Sequence, residues 1–150
     1  MKIIKHPTPS LLEPSRPVEF NEGLSDFITE LLGIYKQARR EFGPGVVGLA
    51  APQVGNNIRV FIAFGEIYIN PEVLWTPKET NSELEGCLSL PLTEFFDISR
   101  PYGVKIKYQN QSGDWKEKRF NDMNARVILH ELDHLEGKLC CGENYDTTKP

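Results

Sequence analysis

His130 and His134 stand four residues apart with Glu131 between them. On an α-helix that interval puts two imidazoles on one face, a turn from each other, where both can hold a single divalent ion. Glu131 is rotated by about 100° around the helix axis, which leaves it beside such an ion and free to take or give a proton. This is the H-E-x-x-H arrangement, suited to water activation by a metal with the glutamate as general base. Two histidines do not complete a catalytic centre, which normally takes three protein ligands and keeps a position for water.

The need for a third ligand singles out Cys87, in Glu85-Gly86-Cys87-Leu88-Ser89-Leu90-Pro91. A free cysteine is usually a small buried hydrophobe, but a thiolate is also a good ligand for zinc or ferrous iron. Cys140 and Cys141 read as packing or partly exposed thiols, and His6 as a surface or packing histidine. A further stretch, Gly45-Val46-Val47-Gly48-Leu49-Ala50-Ala51-Pro52-Gln53-Val54-Gly55, is small and apolar around one amide. It reads equally as a close approach for backbone or ligand, with Gln53 offering a donor and an acceptor, or as a tight core strand entering a turn.

The elements that must carry these residues follow from periodicity. Leu24, Phe27, Ile28, Leu31, Leu32 and Tyr35 recur at helical spacing after Asn21, a suitable N-cap. An amphipathic helix is predicted from there to about Arg40 or Glu41, stopped by Gly43-Pro44-Gly45. Arg59 to Phe64 and Glu66 to Ile69 read as short strands around Gly65, the first almost wholly apolar and so central in a sheet, the second ended by Asn70-Pro71. Thr76 to Leu84 is polar and reads as a loop. Val104, Ile106 and Tyr108 alternate with lysines in a half-buried strand, and Trp115 to Phe120 returns antiparallel after a turn at 110–114. Asn121 or Asp122 caps the motif helix, Ile128, Leu132 and Leu135 form its buried seam, and Gly137 stops it. Four prolines make the first twenty residues an extended arm, and the tail from Cys140 to Pro150 has no periodic element.

Composition bounds the function. The 150 residues fit a single domain spanning 1–150, and 39% hydrophobic with 25% charged residues is the usage of a globular protein. A net charge of -4 argues against a nucleic-acid partner. No apolar run reaches the length of a membrane span and no signal-peptide core opens the chain, so a cytoplasmic location and no membrane partner are expected. Three cysteines, two of them adjacent, are a poor disulfide framework and fit a reducing compartment.

Gly48-Leu49-Ala50-Ala51-Pro52-Gln53, Glu85-Gly86-Cys87-Leu88-Ser89 and His130-Glu131-Leu132-Asp133-His134-Leu135-Glu136-Gly137 resemble, in order and approximate spacing, the three signature motifs of the peptide deformylases. Weaker likeness extends over His6-Pro7, Pro17-Val18, Ile69-Asn70-Pro71 and Ser99-Arg100. The resemblance implies an α+β fold, small antiparallel β-sheets packed around a central helix that carries the histidine motif. It implies removal of the N-formyl group from nascent polypeptides beginning with formyl-methionine, in a bacterial or phage-infected cytosol or an organelle matrix. By the same resemblance Cys87, His130 and His134 hold the metal, usually Fe2+ and replaceable by Zn2+, Ni2+ or Co2+. Glu131 is then the general acid and base, while the Gln53 amide and the Leu88 backbone N–H face the developing oxyanion. Gly45, Val47, Gly48, Gly86 and Val127 are the implied substrate contacts, with Val47 and Val127 in a methionine pocket and the backbone near Gly45 to Val47 and Gly86 as a strand edge.

Two departures from the family pattern stand out. Val46 occupies a position where the family commonly has glycine, so a local difference in backbone or pocket entrance is expected. The chain stops at Pro150, where many bacterial members continue into a C-terminal helix used for ribosome contact. It therefore reads as a short form, as in some organellar or phage enzymes, with ribosome contact only through another surface. Two other functions share the metal motif. An H-E-x-x-H metallopeptidase would usually add a histidine or carboxylate ligand, against which Cys87 argues. A non-catalytic metal-binding module would close the site with Cys140 or Cys141.

Overall fold

The computed structural model describes residues 1–142, so the expectation of a tail without a further helix lies, past Gly142, outside the described residues. The first helix, α1, spans Glu22–Phe42, and the Asn21 side chain accepts from the Gly23 N–H as the predicted cap. Gly43, at φ 94, ends it, a conformation that costs glycine little because it lacks Cβ. Seven strands follow before the second helix: β1 (Gly48–Ala50), β2 (Val60–Ala63), β3 (Glu66–Trp75), β4 (Thr80–Glu85), β5 (Phe96–Pro101), β6 (Gly103–Gln109) and β7 (Trp115–Asn121). The motif helix, α2, runs over Asp122–Leu135. Asn121 takes the extended N-cap conformation without a side-chain cap bond, and Gly137, at φ 76, follows the helix end.

The named strands all pair antiparallel, in a five-stranded sheet ordered β1-β2-β3-β6-β7 and a separate pair β4-β5. The larger sheet lies between the helices. Because strand side chains alternate, Val60 and Ile62 of β2 pack toward Leu24, Ile28, Leu31 and Tyr35 of α1. Phe61 and Ala63 pack toward Ile128, Leu132 and Leu135 of α2. This explains the wholly apolar run in β2: both faces are covered. β2 is internal as expected, although β3 occupies the middle position. Val104, Ile106 and Phe120 also face α2, while the lysines that alternate with them in β6 turn outward. Trp75 and Trp115 remain 42% and 53% exposed, with the Arg119 guanidinium 4.3 Å and the Lys107 ammonium 5.1 Å from their respective ring centres.

Two expectations are corrected. The second apolar strand does not end at Asn70-Pro71 but continues to Trp75. Proline has no N–H for the ladder, and β3 passes it with a register shift against β6 between Ile69 and Glu72. Asn70, at φ 50, substitutes its side chain for the missing bonds: its Oδ1 accepts from the Val18 N–H at 2.7 Å, and its Nδ2 donates to the Val18 carbonyl at 3.2 Å and Gln109 Oε1 at 2.8 Å. The second correction concerns the predicted loop at 76–84, most of which is β4, paired along its length with β5. In β4 only Glu85 is buried, so the strand has none of the apolar alternation that reveals one.

The proline-rich arm turns at His6-Pro7 and again in a 3-10 turn over Pro9–Leu12, and it is bonded to the motif segments. The Ile4 N–H donates to the Gln53 carbonyl at 2.7 Å, that of His6 to the Ser89 carbonyl at 2.8 Å, and that of Ser15 to the Leu135 carbonyl at 2.8 Å. Among the described residues no helix is long and apolar enough to cross a membrane.

Asn70→Ala removes three hydrogen bonds and leaves a Cβ-bearing residue in the left-handed region. It is expected to lower unfolding stability by about 2 kcal/mol, measured by urea denaturation; a parent-like midpoint would contradict the role assigned to this side chain.

Candidate active site

Cys87 lies two residues beyond the end of β4, whereas His130 and His134 project from α2. One donor atom from each comes within 4.8 Å of the others, with Cys87 Sγ 3.4 Å from His134 Nε2. Among the described residues no fourth Cys, His, Asp or Glu joins this group. Burial alone would push the Cys87 thiol up, but the His134 and His130 imidazoles outweigh it and hold it well below the ordinary thiol range. A thiolate and two imidazoles are the donor set of zinc and ferrous iron, so the residues fit a divalent ion of that class.

The tautomer of His130 follows from its neighbour. Its Nδ1 is 2.9 Å from Glu85 Oε1, and a carboxylate only accepts, so Nδ1 carries a proton and Nε2 is the ring nitrogen left to face an ion. Glu85 is buried and also receives Arg100 Nε and Arg126 Nη1 at Oε2, each at 2.6 Å, and Arg100 Nη2 at Oε1 at 2.8 Å. Burial would raise its carboxyl, but the hydrogen bonds from Arg100 and His130 prevail and lower the pKa to about 2. Arg100 continues to Asp133 of α2 at 2.8 Å.

Glu131 is 4% exposed. Burial pushes its carboxyl up while the His134 and His130 imidazoles pull it down, and the net shift is upward. Its Oε2 is buried without a hydrogen-bond partner, the condition of a group placed to exchange a proton with something in the cleft. Gly48 explains how the carboxylate fits: a Cβ there would stand 2.5 Å from Glu131 Oε1 and 2.9 Å from Cδ. Gly48 thus allows the Glu131 side chain to approach the β1 backbone.

That cleft has a volume of about 440 Å³. Gly45, Val47, Gly48 and Gln53 line it from the β1 side, Gly86, Cys87 and Leu88 from the end of β4, and Val127, His130 and Glu131 from α2. The three segments singled out in the sequence therefore converge on one space. Gln53 is 2% exposed and lies in a 3-10 turn, Ala51–Val54, directly after β1, which accords with a core strand entering a turn. Its Oε1 accepts from the Ala50 N–H at 2.9 Å, and its Nε2 approaches Ser89 Oγ at 3.1 Å and Cys87 Sγ at 3.5 Å. Lys5 Nζ donates to the Leu88 carbonyl. Val46 is buried and avoids the left-handed region, so valine there needs no unusual backbone. Exposed Phe42, Leu84, Leu92, Phe95 and Met123 make the entrance apolar.

Cys140 is buried in a separate grouping with Glu85 and His130, and burial pushes its thiol up to about 12. Cys141 is partly exposed. Among the described residues neither joins the group of Cys87, His130 and His134. Glu85 and Arg100 appeared in the sequence only as parts of motifs, and Arg126 did not appear at all. Its signal was an arginine one turn ahead of His130, 3% exposed in the structure, where a buried cation needs a buried partner.

The chain matches the polypeptide deformylase family model over residues 1–149. It is 34% identical over 149 residues to the peptide deformylase of Bartonella tribocorum, covering 91% of this chain and 80% of that one. A local alignment with the peptide deformylase of Pseudothermotoga lettingae reaches 42% over 96 residues, 62% of this chain and 56% of the relative. Among solved structures, the peptide deformylase of Thermotoga maritima superposes with a TM-score of 0.82 at 38% identity, covering 92% of each chain.

Two outcomes follow from this geometry. Gly48→Ala must displace Glu131, so turnover is expected to fall on the order of 100-fold with an unchanged circular dichroism spectrum; full activity would show that the glutamate tolerates the shift. Glu85 titrates near 2 when folded against an ordinary 4.5. Its stabilising contribution is complete above that ordinary value and disappears as pH falls through the folded one. Urea unfolding between pH 5 and 2 should therefore give a shallower acid limb for Glu85→Gln than for the parent.

Proposed function

Because the chain belongs to the polypeptide deformylase family, we propose that its cleft hydrolyses the formamide of nascent polypeptides beginning with formyl-methionine. Members of the family are metal-dependent hydrolases that remove this group. The observation that carries the reading for these residues is the approach of Cys87, His130 and His134 within 4.8 Å, beside the buried Glu131, in one cleft.

Cys87, His130 and His134 would hold the ion, which we propose is ferrous iron, with zinc, nickel or cobalt as substitutes. When bound, a divalent ion there polarises the formyl carbonyl and lowers the pKa of an attacking water. Glu131 takes the proton from that water and passes it to the departing amine. Its raised pKa suits both halves of the transfer. As the formyl carbon becomes tetrahedral its oxygen gains charge, and the Gln53 amide and the Leu88 N–H donate to it. The positions of both residues on the cleft wall support this.

The methionine side chain enters the apolar part of the cleft at Val47 and Val127. Among the described residues β1 is bonded to β2 and β4 to β5, and an extended peptide hydrogen-bonds beside their ends, at the segments Gly45–Val47 and Gly86. Gly48 contributes by leaving space between that wall and Glu131. The reading places the protein where formylated chains are made, in a bacterial or phage-infected cytosol or an organelle matrix. Cys87 favours deformylation over peptide-bond cleavage by the same histidine motif, since that class usually takes a histidine or carboxylate as its third ligand.

Formate release from formyl-Met-Ala-Ser by iron-loaded protein tests the reading. Parent protein should turn over rapidly. Glu131→Gln should keep one metal per chain and lose nearly all turnover, and Cys87→Ala should lose the metal. A metal-loaded parent that releases no formate would sink the proposal, and an unimpaired Glu131→Gln would remove the glutamate from the proton path.

A further inference from the structure

We infer that Arg126 is a positioning residue that fixes the Cys87 end of the small sheet against the histidine face of α2, and thereby governs how firmly the site retains its ion. The inference rests on Cys87, His130 and His134 forming the metal site proposed above. Those donors come from two separate bodies: the histidines from α2, and the cysteine from the segment that leaves β4. Apolar packing does little to join β4 to the helix, because Glu85 alone among its residues is buried.

Two guanidiniums cross this gap in opposite directions. Arg100, on β5, binds Glu85 and reaches Asp133 of α2. Arg126, on α2, reaches back: Nη1 donates to Glu85 Oε2 at 2.6 Å and to the Ile98 carbonyl at 2.8 Å, and Nη2 to the Asn81 carbonyl at 2.8 Å and Asn81 Oδ1 at 3.0 Å. One planar group thus holds β4 at both ends and β5 at its middle. Glu85 is two residues from Cys87 and accepts from His130 Nδ1, so whatever locates this carboxylate locates a ligand on each side of the gap.

Arg100 divides its charge between Glu85 and Asp133, so Arg126 supplies the second positive charge of the group, but a lysine would supply that too. The distinctive contribution of Arg126 is its fork, with donors spaced to meet two backbone carbonyls, a side-chain amide and a carboxylate together. A lysine ammonium supplies the charge but cannot span those acceptors.

The test uses cobalt-loaded parent, Arg126→Lys and Arg126→Met. Cobalt release to excess chelator is followed by loss of the thiolate-to-cobalt absorption band, beside thermal melts of the same samples. Both variants are expected to release cobalt about tenfold faster or more. A parent-like release rate in Arg126→Met would overturn the inference, even with a lowered melting temperature, because Arg126 would then fasten the fold without governing the site. Parent-like release in Arg126→Lys would also overturn it, by showing that charge suffices. Should Arg126→Met fail to fold, Arg126→Lys decides alone. A parent that binds cobalt without a thiolate band would instead refute the proposed ligand set, a result separable from either variant's release rate.

Discussion

A buried carboxylate cannot remain ionised without partners, and Glu85 has three: the Arg100 and Arg126 guanidiniums and the His130 ring. Each partner belongs to a different part of the problem. Arg100 ties β5 to the group, Arg126 ties α2 to it, and His130 carries its influence to the Cys87 and His134 side chains. The carboxylate therefore specifies a protonation state and a spatial relation together. Replaced by an apolar side chain, the same position could still fill space, but it would leave two buried cations and an undirected imidazole.

The larger sheet solves a different constraint. α2 has to be buried along one side and chemically accessible along another, and the sheet provides the first condition through Phe61, Val104, Ile106 and Phe120. The second is met because β1 ends early and leads directly into the turn bearing Gln53, which places small residues where a longer strand would have covered the helix. The absence of a side chain at Gly48 belongs to this arrangement: the backbone of β1 lies close enough to Glu131 that no Cβ fits between them.

Most of this was legible in the sequence where periodicity or ligand chemistry left a trace. α1 with its Asn21 cap and Gly43 stop and the β6–β7 hairpin followed from residue spacing, Cys87 followed from the need for a third ligand, and the joining of the Gln53 stretch to them followed from the family resemblance. β4 did not, because its one buried residue is Glu85, and β5 offers only Phe96 and Ile98 at alternate positions, too short an apolar pattern to announce a strand. The continuation of β3 past Pro71 was hidden for another reason: the bonds that replace the missing N–H come from the Asn70 side chain and from Val18, far away along the chain. Arg126 escaped notice because an arginine on a helix usually faces water, and only the neighbouring Glu85 makes its burial intelligible. What the sequence concealed was thus consistently polar and long-range.

The two tryptophans have an optical consequence. Both lie outside the apolar clusters, half open to water, with a cation over each ring. The aromatic residues of the interior are instead tyrosine and phenylalanine, among them Tyr35, Phe61 and Tyr68. Indole emission from this protein therefore arises from the outer surface near β3, β6 and β7. It is sensitive to quenchers and to the nearby Lys107 and Arg119, while loss of the close-packed interior is registered first by the tyrosines.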